Sequence, residues 1–157
     1  MLPKGISTTI KSIDSYKDTL DMAFAPQSVT LQLSDDIDIS RGDMIVGEHK
    51  APEVGKELDL MVCWLNEKPM VLRGKYAAHH TTNDLKCVIS DVKYKVDINT
   101  LDKNYEDKSI GLNEIARITI KTTHPIFYDP YRTNRITGSI ILIDAATNET
   151  VGAGMII

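Results

Sequence analysis

Hydrophobic and polar residues alternate with a period of two along much of this chain, and no long window repeats apolar residues at helical spacing. In residues 29–33 (VTLQL) every second residue is valine or leucine, and in residues 116–121 (ARITIK) every second residue is alanine or isoleucine. Short runs of this kind, bounded by turn residues, predict β-strands. We expect helix to be limited to one or two turns near residues 18–24 (DTLDMAF) or 99–105 (NTLDKNY).

The second half of the chain carries the longest predicted strands. In residues 84–98 (DLKCVISDVKYKVDI) the alternation places the even-numbered residues from 88 to 96 on one face and the odd-numbered residues from 87 to 95 on the other. We interpret the second face as increasingly solvated. Near the end, two apolar runs at 138–144 (GSIILID) and 149–157 (ETVGAGMII) flank the turn sequence AATN, an arrangement that predicts a hairpin.

Strands at such short spacing are typical of an all-β sandwich or barrel. A polar segment at 49–56, which holds Pro52 and Gly55, separates two strand-rich blocks and is interpreted as a linker. The block at 57–157 is long enough for one complete β-domain. The block at 1–48 is small for a self-sufficient β-domain and begins almost inside a strand, so we interpret it as part of a domain from a longer chain.

Composition narrows the classes of function. The chain has 157 residues, 42% of them hydrophobic, and a formal net charge of −4 with a sequence pI near 5.5. A nucleic-acid binder usually carries a basic excess that displaces counterions from phosphates, so this charge argues against a nucleic-acid partner. Cys63 and Cys87 lie in apolar runs without the spacing of a disulfide framework or a zinc site, which favours a reducing compartment. Because no run is long enough for a membrane span and no signal-peptide core is present, we expect a cytoplasmic protein.

The tripeptide Arg41-Gly42-Asp43 admits three interpretations: a cell-adhesion signal, an acidic metal loop or a turn between strands. A turn is favoured, because glycine and aspartate suit it and an apolar run at 44–47 (MIVG) follows as a predicted strand. The neighbouring aspartates at 35, 36 and 38 lack the alternation, central glycine and distal glutamate of a calcium loop.

The chain shows no pattern of catalytic or cofactor-binding residues. His79 and His80 are adjacent, so on a strand they point to opposite faces and cannot readily share a metal ion. The serines at 40 and 139 lack the strained, glycine-flanked turn of a nucleophile, and no G-x-x-x-x-G-K-[ST] phosphate loop occurs. We therefore predict no catalytic, cofactor-binding or metal-binding residue.

One stretch, 127–138 (FYDPYRTNRITG), is rich in aromatic, arginine and asparagine side chains, which are typical of binding surfaces. The candidate interface residues in it are Asp129, Tyr131, Arg132, Asn134 and Arg135. The alternative is an ordinary long loop whose base is packed by its tyrosines. Both interpretations stay open, and neither implies catalysis.

Several stretches together resemble one protein family. They are LDMAFAPQSVTLQLSDDIDISRGDMIV, VCWLNEKPMVLRGKY, YKVDINTL, LNEIARITI and HPIFYDPYRTNRITGSIILIDAATNETVGAGMI, which cover nearly the whole chain in order. These blocks resemble the large subunit of bacterial sulfate adenylyltransferase (ATP sulfurylase), a GTPase that is sometimes fused to adenylylsulfate kinase. More distantly, they are similar to domains two and three of elongation factor Tu and elongation factor 1-alpha.

The resemblance implies an architecture. Residues 1–48 would be the latter part of a translation-factor-type barrel, domain two, and residues 57–157 a complete Greek-key barrel like domain three of elongation factor Tu. The GTPase domain, with its GTP and magnesium, would lie outside this sequence, and LNEKP at 65–69 lacks the aspartate of the guanine-binding motif. No catalytic residue can be carried over from the family.

The resemblance also implies a function. The full enzyme makes adenosine 5′-phosphosulfate from ATP and sulfate; a separate small catalytic subunit transfers the adenylyl group, and GTP hydrolysis in the large subunit drives the reaction. This chain would be a structural and docking module, inactive alone, with the small subunit and the GTPase domain as partners.

Two alternatives remain for the function. One is a translation-factor-like module that binds tRNA or a protein, and the other is a barrel that carries a ligand in its interior. Unpaired strand edges in an incomplete first barrel also predict self-association or partial disorder of residues 1–48.

Overall fold

The computed structural model describes all residues from Met1 to Ile157, as ten β-strands and no helix. The predicted all-β class is therefore confirmed. The helical turns expected near 18–24 and 99–105 are wrong, because both segments contain short strands that pair with a neighbouring strand instead. The chain divides into two compact units, Met1–Ala51 and Pro52–Ile157, which are described separately.

The first unit is a small antiparallel sheet. It contains β1 (Ile10–Ser15), β2 (Asp18–Leu20) and β3 (Thr30–Leu33) in the order β2-β1-β3. The predicted alternation of β3 is confirmed, since its leucines are half-buried and the polar residues between them are exposed. No residue of this unit is fully buried. The sheet therefore has no closed hydrophobic core of its own.

One carboxylate connects all three strands of this sheet. Asp14 on β1 accepts hydrogen bonds from Ser12 at 2.9 Å, from Thr19 of β2 at 2.9 Å and from Gln32 of β3 at 2.9 Å. The bond from Ser12, followed by that from Thr19, lowers the pKa of Asp14 below its usual value. Side-chain hydrogen bonds thus supply cross-strand order that the sparse apolar packing does not.

The tripeptide at 41–43 forms a turn, as predicted. The amide of Asp43 donates to the carbonyl oxygen of Ser40 at 3.0 Å, and the amide of Ser40 donates to the Asp43 carboxylate at 3.0 Å. Gly42 has a φ of 99°, a value that glycine adopts readily. The strand expected after the turn is wrong: Met44 makes only an isolated antiparallel bridge with Leu2, because no longer partner strand lies beside it.

The second unit is a closed antiparallel barrel. Its strands are β4 (Glu53–Trp64), β5 (Lys75–His80), β6 (Asn83–Val96), β7 (Lys103–Asn104), β8 (Ile115–Tyr128), β9 (Ser139–Ile143) and β10 (Thr150–Ile156). The neighbours run β5-β9-β10-β4-β8-β6, and pairing of β5 with β6 closes the ring. The short strand β7 pairs antiparallel with the end of β6. Because β4 lies between β8 and β10, the connections to β5 and to β9 cross other strands, as in a Greek key.

Two connections of the barrel can be compared with the sequence pattern. The predicted final hairpin is confirmed, with β9 antiparallel to β10. Strand β4 begins at Glu53, inside the polar segment 49–56 that the pattern suggested as a linker. Its first residues pair with Ile126–Tyr128 of β8, so strand pairing and not hydrophobic alternation defines this end.

The face assignment for β6 is wrong. Cys87 and Ile89, expected to lie on a solvated face, are buried, whereas Val88 is only half-buried. Further along the strand Val92 is buried, because the register shifts between Ile89 and Asp91. An extra residue in a strand reverses the alternation beyond it, which period-two counting cannot anticipate.

Apolar side chains from all six closing strands fill the barrel. The fully buried ones include Leu58, Leu60, Val62, Trp64, Ile89, Val92, Ala116, Ile118, Ile120, Ile140, Leu142 and Ile156. At one end the Trp64 ring packs edge-on against Tyr76 with centroids 5.6 Å apart, and its indole NH donates to the carbonyl oxygen of Lys68 at 2.9 Å. This packed interior provides a stiff wall on which surface loops are held.

Candidate interaction site

The candidate residues lie in the connection between β8 and β9, residues 129–138, here called the arginine loop. Backbone hydrogen bonds attach it to the last strand: the amide of Tyr131 donates to Ile156 at 2.9 Å, and the amide of Ile156 donates to Gly138 at 2.8 Å. Inside the loop, the amide of Gly138 donates to Asn134 at 2.8 Å. The loop is therefore a folded element with defined backbone geometry.

Gly138 sits where the loop closes on itself. A Cβ at this position would lie 2.4 Å from the Cα of Tyr131, 2.6 Å from its amide nitrogen and 2.7 Å from the carbonyl oxygen of Asn134. All three atoms belong to the backbone, so no side chain can move aside to admit a methyl group. The loop needs glycine here for close approach of the chain.

A buried histidine holds the end of the loop. His80 is 1% exposed, and its Nε2 lies 2.7 Å from the carbonyl oxygen of Thr137. Because a carbonyl can only accept, Nε2 must carry the proton, which leaves Nδ1 as a buried atom with no partner. Burial is the main cause that lowers the pKa of His80, so the neutral ring is the form that holds the loop.

The five candidate residues are brought together, but they differ in what they do. The Asp129 carboxylate accepts a hydrogen bond from Thr137 at 2.6 Å, and the Asn134 side-chain oxygen accepts one from the amide of Ile136 at 3.1 Å. Both therefore support the loop itself. Tyr131 is half-buried, as expected for a tyrosine that packs the base of the loop.

The two arginines are the charged side chains of the loop that remain free to contact another molecule. Arg132 and Arg135 are exposed, and neither forms an ion pair with a carboxylate. The Arg135 guanidinium lies 6.0 Å from the centroid of the Tyr131 ring, a distance at which a cation and an aromatic face attract each other. The loop thus presents two exposed cations on a backbone that hydrogen bonds hold in place.

Sequence reasoning missed His80 as a structural residue of this site. The sequence pattern raised the histidine pair only as possible metal ligands. The two side chains do point to opposite faces of β5, and the outer one, His79, lies 2.6 Å from the Asp84 carboxylate. The available signal was the alternation of β5, which places His80 on the inner face with Tyr76 and Ala78. Its hydrogen-bond partner, 57 residues away, could not be read from that pattern.

Other titratable groups form no acid–base or metal cluster. No three histidine, cysteine, aspartate or glutamate side chains are placed to hold a metal ion together. Both cysteines are free, and burial raises the pKa of Cys87 to about 12, so this thiol is not a nucleophile at neutral pH. Lys95 of β6 bridges Asp107 at 2.8 Å and Glu114 at 2.6 Å, an ion-pair network that ties the connection between β7 and β8 to the barrel.

A concave region lies at the Trp64 end of the barrel. It encloses about 270 Å³, and its lining includes Tyr76, Lys68 and Asp144. The Tyr76 hydroxyl accepts a hydrogen bond from the amide of Val71 at 3.1 Å and is therefore engaged in the fold. The lysine and aspartate lie 3.9 Å apart, so the two charges compensate each other.

The fold and the site define a class: a closed Greek-key β-barrel that presents a hydrogen-bonded loop with two exposed arginines on its surface. The chain belongs to the GTP-eEF1A C-terminal domain-like family, whose model matches residues 57–157. The predicted elongation-factor-type barrel is thereby confirmed.

Proteins with similar sequences indicate which group within this family the chain resembles. The chain is 44% identical over 156 residues to sulfate adenylyltransferase subunit 1 of Bacteroides fragilis, a match that covers 99% of this chain and 33% of the relative. It is 40% identical over 158 residues to the bifunctional enzyme CysN/CysC of Mycobacterium tuberculosis, covering 100% of this chain and 26% of the relative. The resemblance to the sulfate adenylyltransferase large subunit is confirmed, and the chain spans a third or less of these relatives.

Solved structures agree on the fold. The crystal structure of sup35 complexed with GDP superposes with a TM-score of 0.84 at 16% identity, covering 99% of this chain and 38% of that one. At this identity the likeness concerns the fold alone. The structure contains no helix with the length and apolarity that a membrane crossing requires.

Proposed function

We propose that this chain serves as a β-barrel part of a sulfate adenylyltransferase large subunit, a protein that couples GTP hydrolysis to synthesis of adenosine 5′-phosphosulfate from ATP and sulfate. The observation that carries the proposal is 44% identity over 99% of the chain to a sulfate adenylyltransferase subunit 1. Such an enzyme would work in the cytoplasm. GTP and magnesium would be bound by a GTPase domain that adjoins the barrel.

The barrel's role in this proposal is mechanical. Nucleotide-driven switch motions do work only when a rigid neighbour converts them into a changed interface. A closed ring of six strands around fully buried apolar side chains is such a neighbour, since it cannot bend without breaking backbone pairing. The chain has no phosphate-loop motif, so it would be a lever and docking platform without catalysis of its own.

The partner in this proposal is the small catalytic subunit, and the arginine loop is the surface that meets it. Asp129 and Asn134 keep the loop in shape and the half-buried Tyr131 ring attracts the Arg135 guanidinium, while Arg132 and Arg135 make the contact. A pre-ordered loop favours binding because little conformational entropy is lost when the complex forms.

Light scattering of this chain mixed with the small subunit tests the docking role, with bulk tRNA as the parallel sample. We expect a stoichiometric complex with the subunit and none with tRNA. Binding to tRNA alone would instead favour a translation-factor-like module, for which the two unpaired arginines are the supporting observation. GTP turnover by the purified chain would contradict the proposal that it has no catalysis of its own.

The first unit supports a further part of the proposal, self-association. Both outer strands of its sheet, β2 and β3, have an unpaired edge, and Met22 and Phe24 are 74% and 65% exposed. Edges of this kind pair with another strand when one is available, so we expect two copies to dimerise. A monomer at every protein concentration, with residues 1–48 well protected in hydrogen exchange, would contradict this.

A further inference from the structure

We propose that the arginine loop and the adjoining outer faces of β10 and β4 form one docking surface for an acidic, apolar-bearing segment of a partner protein. This inference rests on the proposed function, because it specifies the chemistry by which a partner subunit would be held. The docking surface consists of Arg132, Arg135, Ile136, Met61, Met155 and Ile157.

The apolar part of the docking surface consists of side chains that point away from the core. Met155 is 41% exposed and Ile157 is 51% exposed, while Ile136 in the arginine loop is 75% exposed. Met155 lies directly across from Met61 of β4, which is half-buried on the same outer face. Strand alternation sets this arrangement, because the residues between these positions fill the barrel interior.

Backbone and side-chain contacts place the loop next to this apolar row. The hydroxyl of Ser139, the first residue of β9, donates to the carbonyl oxygen of Arg135 at 2.6 Å. Ser139 is itself the strand partner of Met155. The hydrogen bond from Ile156 to Gly138 at 2.8 Å fixes the other side of the loop to β10. The backbone of the loop therefore lies beside β10, whose outer face carries Met155.

The charge of the docking surface contrasts with that of the chain. The formal net charge is −4, yet Arg132 and Arg135 stand without an ion-pair partner. Arg117, which is half-buried, instead pairs with Asp59 at 2.7 Å. A guanidinium binds a carboxylate through two parallel hydrogen bonds, so carboxylates are the complementary groups for the two free arginines.

A protein partner fits this surface better than a nucleic acid does. Nucleic-acid binding draws its affinity from several cations that track successive phosphates. Here the proposed surface has only two arginines, and its exposed methionine and isoleucine side chains carry no charge or hydrogen-bond donor that could bind a phosphate. The same apolar groups would lose their contact with water beneath the apolar side chains of an acidic peptide.

Charge reversal at the loop tests the inference. The test variant is Arg132→Glu with Arg135→Glu, and the matched control is Lys75→Glu with Lys86→Glu, two exposed barrel lysines that form no ion pair. Each double change replaces two positive charges by two negative ones, so both take the formal net charge from −4 to −8. A difference in binding between the two variants then reports the position of the changed charges and not the net charge of the protein.

Binding is measured by fluorescence anisotropy with three probes: the small subunit, a labelled peptide that alternates glutamate with leucine, and tRNA. A second peptide with lysine in place of glutamate controls for charge. We expect the loop variant to bind the acidic peptide and the small subunit at least about tenfold more weakly than the control variant does. This difference shrinks when salt is raised from about 50 mM to about 500 mM, because exposed charges are then screened.

The outcomes separate this inference from the proposed function. Equal binding of the small subunit by both variants would overturn the docking surface and leave the proposed function intact. No binding of the small subunit by the natural chain would overturn the proposed docking role, and the acidic peptide would still decide the inference. Three results would each overturn the inference of a docking surface: preference for the lysine peptide, no binding of either peptide, or tRNA binding that only the loop variant loses.

Discussion

Replacing Gly138 with alanine is expected to destabilise the barrel through the arginine loop. The added Cβ would meet the Cα of Tyr131 at 2.4 Å, whereas non-bonded carbon atoms prefer about 3.5 to 4.0 Å. The backbone must therefore separate by more than about 1 Å. That movement pulls on the hydrogen bonds from Tyr131 to Ile156 and from Ile156 to Gly138, which attach the loop to β10.

Two opposing effects set the change in the free energy of unfolding that Gly138→Ala causes. Forcing extra atoms into a packed site typically costs about 1 to 3 kcal/mol. Alanine also restricts the unfolded chain, which returns about 0.4 to 1 kcal/mol. We expect a net loss of about 1.3 kcal/mol, which for a unit of this size lowers the melting temperature by about 6 °C.

The assay uses the single tryptophan of the chain, Trp64, which is 1% exposed inside the barrel and therefore reports its unfolding by fluorescence. Gly111→Ala is the matched control, because its Cβ would meet nothing closer than the Glu114 side chain at 3.6 Å. Hydrogen exchange at the amides of Tyr131 and Ile156 gives a local readout. Equal melting temperatures for the two variants, with unchanged exchange, would refute the packing argument.

Three further predictions concern the core, the buried histidine and the thiols. Leu60→Ala removes a fully buried side chain and is expected to cost about 3 kcal/mol in chemical denaturation. Leu101→Ala, at an exposed position, changes stability by less than about 0.5 kcal/mol. Similar costs for the two variants would contradict the assignment of Leu60 to the core. Because burial lowers the pKa of His80, the unfolded chain takes up the proton first, so stability falls as the pH drops below about 6.5. Melting curves of His80→Gln should lack this part of the pH dependence, and an identical dependence would count against it. A thiol reagent should modify half-buried Cys63 well before Cys87, whose burial raises its pKa to about 12, and equal rates in the folded protein would disprove this.

Part of the arginine loop could be predicted from the sequence and part could not. Its composition singled out Asp129, Tyr131, Arg132, Asn134 and Arg135, and the structure places all five in one loop. Composition could not assign their roles, because the bond from Thr137 to Asp129 and the approach of Arg135 to the Tyr131 ring depend on the loop's conformation. Nor could it place the loop near Met155, because the pairing of β9 with β10 sets Ser139, the residue that follows the loop, opposite Met155.

The sequence by itself determined the all-β class, the turn at 40–43, the final hairpin and the inward side of β8, where Ala116, Ile118 and Ile120 are all buried. These features depend on the period-two geometry of an extended chain and on glycine at a turn, both of which are local. Only the tertiary structure decided that β6 changes its buried face after Ile89 and that His80 holds Thr137. A bulge and a hydrogen bond across 57 residues depend on which strands become neighbours, and barrel closure sets that choice.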